Sequence, residues 1–97
     1  MVSTVDQSNL EIKIHLDNEY GLHARPAAVL AKEAQKFSSE IQLCFDGREV
    51  DAKSILDILT LAVPHGGSLS IRANGEDAHE AVKHIRKLIN GRFEGNK

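Results

Sequence analysis

Tryptophan is absent, cysteine occurs once, and the aromatic side chains are limited to three phenylalanines and one tyrosine in a chain of 97 residues. The lone Cys44 excludes an internal disulfide and leaves no thiol pair for a metal cluster. With so few rings, the core has to be aliphatic. No apolar run approaches the roughly 20 residues that span a bilayer, and no signal-peptide pattern opens the chain. An excess of one charge is lacking too. Lysine and arginine number 12 against 14 acidic residues, a formal net charge of −2, which gives no general pull toward nucleic acid or a membrane surface. The expectation is one small soluble domain in a reducing cytoplasm, burying about two-thirds of the surface that its unfolded chain exposes.

What is present is a regular alternation of short patterns. Residues 1–9 are polar and without periodicity, and are expected to form a mobile tail. Leu10, Ile12, Ile14 and Leu16 alternate with Glu11, Lys13, His15 and Asp17, the pattern of a half-buried strand with His15 on its wet face. A loop over residues 17–23 follows. Ala27, Leu30, Ala31, Ala34 and Phe37 then recur at helical spacing. This predicts a helix over residues 26–36 with Pro26 in its first position, where a missing N–H costs nothing. Lys32 and Gln35 fall off that stripe. Ile41, Leu43 and Phe45 alternate with Gln42 and Cys44 as a second strand, and Cys44, on its outer face with no base beside it in sequence, reads as structural. Asp46-Gly47 is a two-residue hairpin signal before a short third strand over residues 48–51.

Ser54 predicts the N-cap of a second helix, and Asp57 three residues on predicts a capping box with Asp in place of Glu. Ile55, Leu56, Ile58, Leu59, Leu61 and Val63 are too many apolar residues for one narrow stripe on so short a helix. Ile58 and Leu61 are assigned to the core. Ile55, Leu56 and Leu59 are the expected exposed patch, and such a patch marks a docking surface. Leu69, Ile71 and Ala73 form the fourth strand, and Asn74-Gly75 turns the chain. Asp77 with Glu80 predicts the cap of a third helix whose buried stripe is Ala78, Val82, Ile85 and Ile89. Lys83, Arg86 and Lys87 complement its negative end, and Gly91 marks its stop. His79 and His84 are five apart and do not form the i,i+4 pair of a helical metal site. The folded domain is expected over residues 10–90, with a second tail over 91–97. The order is β-α-β-β-α-β-α, an α+β arrangement whose sheet has one wet face and one face covered by helices.

The chain is organised around Asn18-Glu19-Tyr20-Gly21-Leu22-His23-Ala24-Arg25-Pro26-Ala27-Ala28. His23 lies in the turn that feeds a helix N-terminus, where unpaired backbone N–H groups and the positive end of the dipole favour an anion. Arg25 adds a planar, permanently charged fork that matches phosphate oxygens. A neutral imidazole is a good nucleophile, so imidazole and cradle together suit a transient phosphohistidine. By themselves these residues establish an anion site.

Gly21-Leu22-His23-Ala24-Arg25-Pro26-Ala27-Ala28 resembles the active-site signature of the HPr family, the histidine-containing phosphocarriers of the bacterial phosphoenolpyruvate:sugar phosphotransferase system. Lys53-Ser54-Ile55-Leu56-Asp57-Ile58-Leu59 resembles that family's regulatory serine segment, at the family's separation, and the similarity runs from about residue 10 to residue 89. The resemblance implies an open-faced β-sandwich, an antiparallel four-stranded sheet in the order 1-4-2-3 with three helices on one face. It implies that His23 accepts a phosphoryl group on Nδ1 from enzyme I and passes it to an enzyme IIA domain, with Arg25 contacting the group transiently. It also implies that Ser54 is modified by an HPr kinase/phosphorylase and that the modified form meets a transcriptional regulator. Lys32 and Lys53 join the apolar patch as partner contacts. No cofactor and no metal are implied, and the carrier is expected to be a monomer that turns over nothing itself.

Three positions depart from the family pattern: Asp57 stands where relatives carry a basic or neutral residue, Gln35 replaces a common lysine, and Ala62 stands where many have glycine. The positive ring is thereby thinned to Arg25, Lys32 and Lys53. The other reading is a regulatory binding module of a nitrogen-type or catabolite-regulation branch, acting through phosphorylation-dependent docking. The presence of both His23 and Arg25 favours the carrier. A third reading, an enzyme using His23 as general base, lacks a partner carboxylate within the motif.

Overall fold

The computed structural model describes residues 9–16 and 21–91. Alternating side chains build four strands, β1 (Asn9–His15), β2 (Glu40–Phe45), β3 (Arg48–Asp51) and β4 (Ser68–Asn74), and helical periodicity builds α1 (Ala24–Ala34), α2 (Ile55–Leu61) and α3 (Ala78–Asn90). The strands pair antiparallel in the order β1-β4-β2-β3. The register sets Ile12 beside Ile71, Ile71 beside Leu43, and Leu43 beside Val50, one apolar row crossing the whole sheet. Glu11, Arg72, Gln42 and Asp51 make the neighbouring row, and the period of two puts that row on the opposite face. The three helices cover the apolar face. This is the fold expected from the order of elements and from the family resemblance.

The core is aliphatic, as the shortage of rings requires. Leu16, Leu30, Ile41, Leu43, Ile58, Leu69, Ile71 and Ile85 are fully buried, each worth about 1.5–3 kcal/mol of transfer free energy. Phe37 and Phe45 only lean against this cluster. Asp46 (φ 53°) and Gly47 (φ 79°) both have positive φ, as a two-residue turn between right-twisted strands needs. Asn9 opens β1 opposite Asn74, and Gly91 ends α3. The remainder of the two expected tails, residues 1–8 and 92–97, and most of the expected loop, 17–20, lie outside the described residues.

Helix ends differ from expectation in three places. Helix α1 starts at Ala24, so Pro26 stands third, not first; the first intrahelical bond runs from Ala27 N–H to the His23 carbonyl (2.9 Å), and any of the preceding N–H groups is dispensable. Ser54 does cap α2, its Oγ accepting from Asp57 N–H at 3.2 Å. The box is not closed, because the Ser54 N–H is taken by the Asp51 carbonyl (3.2 Å). Asp77 stands at the N-cap of α3 but makes no side-chain cap. Its carboxylate instead accepts from the N–H groups of Ser38 and Ser39, both at 2.9 Å, and from the Ser39 hydroxyl. Three donors converging on one carboxylate outbid a single capping bond. Gly75, at φ 151°, lets this loop close in, since a Cβ there would meet the Ser39 side chain.

Candidate phosphoryl-transfer site

His23 is the N-cap residue of α1, exposed, with extended backbone (φ −94°, ψ −168°) and no side-chain capping bond. Its N–H donates to the Gly21 carbonyl at 3.1 Å. The turn is pinned from below: Leu22 is buried, and its N–H donates to the Val63 carbonyl at 2.9 Å. Gly21 has φ 71°, and a Cβ there would fall 2.2 Å from the Val63 oxygen, so only glycine lets the loop press this close. Arg25 follows two residues on, also exposed. The arrangement sets an imidazole at the mouth of a helix N-terminus, with the guanidinium one step along the same helix. The chemistry it can support is attack by the ring on an electrophilic phosphorus and brief stabilisation of the anion formed.

Helices α1 and α2 run antiparallel. The Leu22–Val63 bond ties the start of α1 to the end of α2, and Gln35 Nε2 donates to the Lys53 carbonyl at 2.9 Å, tying the end of α1 to the start of α2. His23 and Ser54 therefore lie at opposite ends of the pair, roughly 15 Å apart along the axis. Leu56, 72% exposed, and Ile55, 38% exposed, project from the first turn of α2. Leu59 is half-buried and packs on the core, less available than expected. Lys32 is exposed. Lys53 is half-buried, and its ammonium donates to the Phe37 carbonyl at 2.7 Å, in the turn beyond the end of α1. The backbone turn after α1 brings that carbonyl to it, which sequence spacing does not reveal.

Three further contacts escaped the sequence reading. Glu33, on α1, is buried and bonded to His84 Nε2 of α3 at 2.7 Å and to Lys36 Nζ. The two hydrogen bonds hold its carboxyl below the usual range against the cost of burial. Its position on the apolar stripe, three residues after Leu30, was the available signal. Arg48 Nη1 donates to the Thr60 carbonyl at 2.6 Å and closes the end of α2. Ala62, just beyond, is left-handed (φ 53°, ψ 45°), the conformation that glycine takes without cost. Cys44 is half-buried beside Glu49, and burial with that carboxylate raises its thiol, in keeping with an inert cysteine.

A family described as the PTS HPr component phosphorylation site matches residues 10–91. The chain belongs to the HPr family. Phosphocarrier protein HPr of Buchnera aphidicola is 41% identical over 77 residues, covering 79% of this chain and 91% of that protein. Its counterpart from Haemophilus influenzae is 49% identical over 69 residues, covering 71% and 81%. The crystal structure of HPr-C-His from Thermoanaerobacter tengcongensis superposes with a TM-score of 0.85 at 42% identity, over 91% of this chain and 98% of that one. As an HPr, this chain is a phosphocarrier of the phosphotransferase system. Among its described residues no helix is long and apolar enough to cross a membrane.

Proposed function

We propose that His23 is the phosphoacceptor. The phosphoryl group arrives on Nδ1 from enzyme I, itself charged by phosphoenolpyruvate, and leaves to an enzyme IIA domain. The observation that carries the reading is the place of His23: an exposed N-cap of α1, without a side-chain cap, two residues before an exposed Arg25. The helix N-terminus favours the dianionic group once attached, and Arg25 reaches it from the same turn. A carrier must also let go. Each 1.4 kcal/mol of excess stabilisation slows onward transfer about tenfold, so an exposed site with one arginine suits the task. Incubation with phosphoenolpyruvate and the cognate enzyme I should give an acid-labile, base-stable adduct, and His23→Ala should abolish it; normal uptake by that variant rejects the assignment.

Ser54 is the regulatory site in this reading, a target for an HPr kinase/phosphorylase whose product meets a transcriptional regulator. Phosphorylation adds about −1.5 to −2 charge, tolerated at the cap position of α2, so its effect falls on partners and not on the fold. The docking patch is Ile55, Leu56 and Leu59, with Lys32 and Lys53 as its basic partner contacts. The same reading keeps the folded unit to residues 10–90 and the carrier a cytoplasmic monomer.

A further inference from the structure

A second imidazole of this molecule is held more firmly than an idle surface histidine. His84 lies at mid-length on α3, and its Nε2 is 2.7 Å from Oε1 of Glu33, which stands in the last turn of α1. The Glu33 side chain is 5% exposed and that of His84 42%. Lys36 Nζ donates to the same Oε1 at 3.1 Å and lies 3.0 Å from Oε2, so one buried carboxylate holds an ammonium and an imidazole together. The His84 ring also leans on Phe37, with centroids 5.6 Å apart and planes inclined at 54°. Its orientation is thus fixed from two sides.

Glu33 also decides which ring nitrogen can react. His84 and Lys36 lower its carboxyl, so it is ionised near neutral pH, and an ionised carboxylate only accepts hydrogen bonds. Nε2 must therefore carry a proton, and the lone pair of the neutral ring sits on Nδ1. Nδ1 makes no hydrogen bond among the described residues. Lys87, exposed and one turn further along α3, favours the approach of an anion. A buried carboxylate behind an oriented imidazole is the arrangement that readies histidine for group transfer. The other exposed histidines of the described sheet, loops and helices lack it. His15 meets only Ser68 Oγ, at 3.5 Å, and His65 and His79 make no side-chain bond among the described residues.

The geometry points to His84 Nδ1 as a second phosphoryl-accepting site, one that takes the group from small acyl phosphates without a delivering enzyme. Nδ1 attacks the phosphorus, and the bond from phosphorus to the acyl oxygen breaks. The electron pair of that bond leaves with the carboxylate product. The ring becomes an N-phosphoryl imidazolium whose proton stays on Nε2, against Glu33. Glu33 is the positioning residue: it fixes the tautomer before attack and offsets the ring's positive charge after it. The site is separate from His23 and does not depend on the assignment made there.

The test incubates the full chain carrying His23→Ala with acetyl phosphate alone at neutral pH. Peptide mass spectrometry under alkaline conditions locates the label, and phosphorus NMR separates the Nδ1 adduct from the Nε2 adduct. His84 is expected to be labelled about tenfold or more faster than His15, His65 and His79, and on Nδ1. Glu33→Gln in the same background should slow His84 about tenfold and spread its label to Nε2, because a carboxamide can donate to Nε2 as well as accept from it. Equal labelling of the four histidines, labelling chiefly on Nε2, or no label on His84 overturns the inference. So does a Glu33→Gln chain that matches its parent in both rate and labelled nitrogen. Circular dichroism checks that Glu33→Gln folds; if it does not, the comparison among the four histidines decides. Failure of enzyme I to charge His23 in the parent chain would overturn the earlier assignment and leave this one standing.

Discussion

Arg25 and Ala62 are the two residues whose substitution separates function from fold most cleanly. Arg25 is exposed and, among the described residues, has no side-chain hydrogen bond or ion pair, so Arg25→Ala should shift stability by no more than about 0.5 kcal/mol. Phosphoryl uptake should fall by about tenfold or more, since one charge-assisted contact to the transferring group is lost. Rapid-quench kinetics beside thermal unfolding checks both halves; a Tm loss larger than the loss of rate would make Arg25 structural. Ala62 is the reverse case. It holds a left-handed conformation that costs a residue with a Cβ about 1 kcal/mol. Ala62→Gly should therefore raise Tm by about 4–8 °C for a domain of this size, with transfer kinetics unchanged.

Elements are held to one another by side chains at their ends. Asp77 joins the start of α3 to the loop after α1, and the Ser39 hydroxyl with the Ser38 and Ser39 N–H groups lowers its carboxyl to about 2 from 3.8. A depressed folded-state value means that the stabilisation is complete above about pH 4 and is lost as pH falls through about 2. Glu33, lowered by His84 and Lys36, adds loss of the same sign below its ordinary value of 4.5. Thermal unfolding from pH 6 to pH 2 should show the parent and Asp77→Asn converging at the acid end; a constant gap would mean that the carboxylate charge is not what holds the loop. Helix α2 supplies the counterpart on the surface. Leu56 is the most exposed large apolar residue among the described residues, so Leu56→Glu should weaken enzyme I binding at least tenfold and leave the far-ultraviolet spectrum unaltered. Titration of labelled protein checks it, and shifts clustered on the outer sheet face around Gln42 and Arg72 would count against the patch.

At the scale of the whole molecule one aliphatic core serves every element. Ile71 sits at its centre, on the strand flanked by both β1 and β2, and is fully buried. Ile71→Ala should cost about 3–4 kcal/mol through lost transfer free energy and an unfilled cavity. That is a large fraction of the about 5–15 kcal/mol that such domains possess. Denaturant unfolding should remain a single transition with a lower midpoint and an unchanged slope, because no second core exists among the described residues to unfold separately.

Local rules carried the reading of the fold a long way. Alternation at Leu10–Leu16, Ile41–Phe45 and Leu69–Ala73, the Asp46-Gly47 turn, the Ser54 cap and the stripe of α3 are nearest-neighbour physics, so the sequence alone determined the elements and their order. Gly21 to Ala28 likewise determined the place of His23, because helix entry is decided within a few residues. Strand order came from family likeness, since a period of two says which face a strand buries and nothing of which strand lies beside it. What only the tertiary structure decided depends on groups far apart in the chain. Asp77 leaves its cap because Ser38 and Ser39 bring three donors to it across 38 residues. Lys53 is half-buried because the turn after α1 offers its ammonium a carbonyl. Glu33 can be buried because α3 brings His84 to it. A side chain's partners are set by packing, and packing is what the local pattern does not contain.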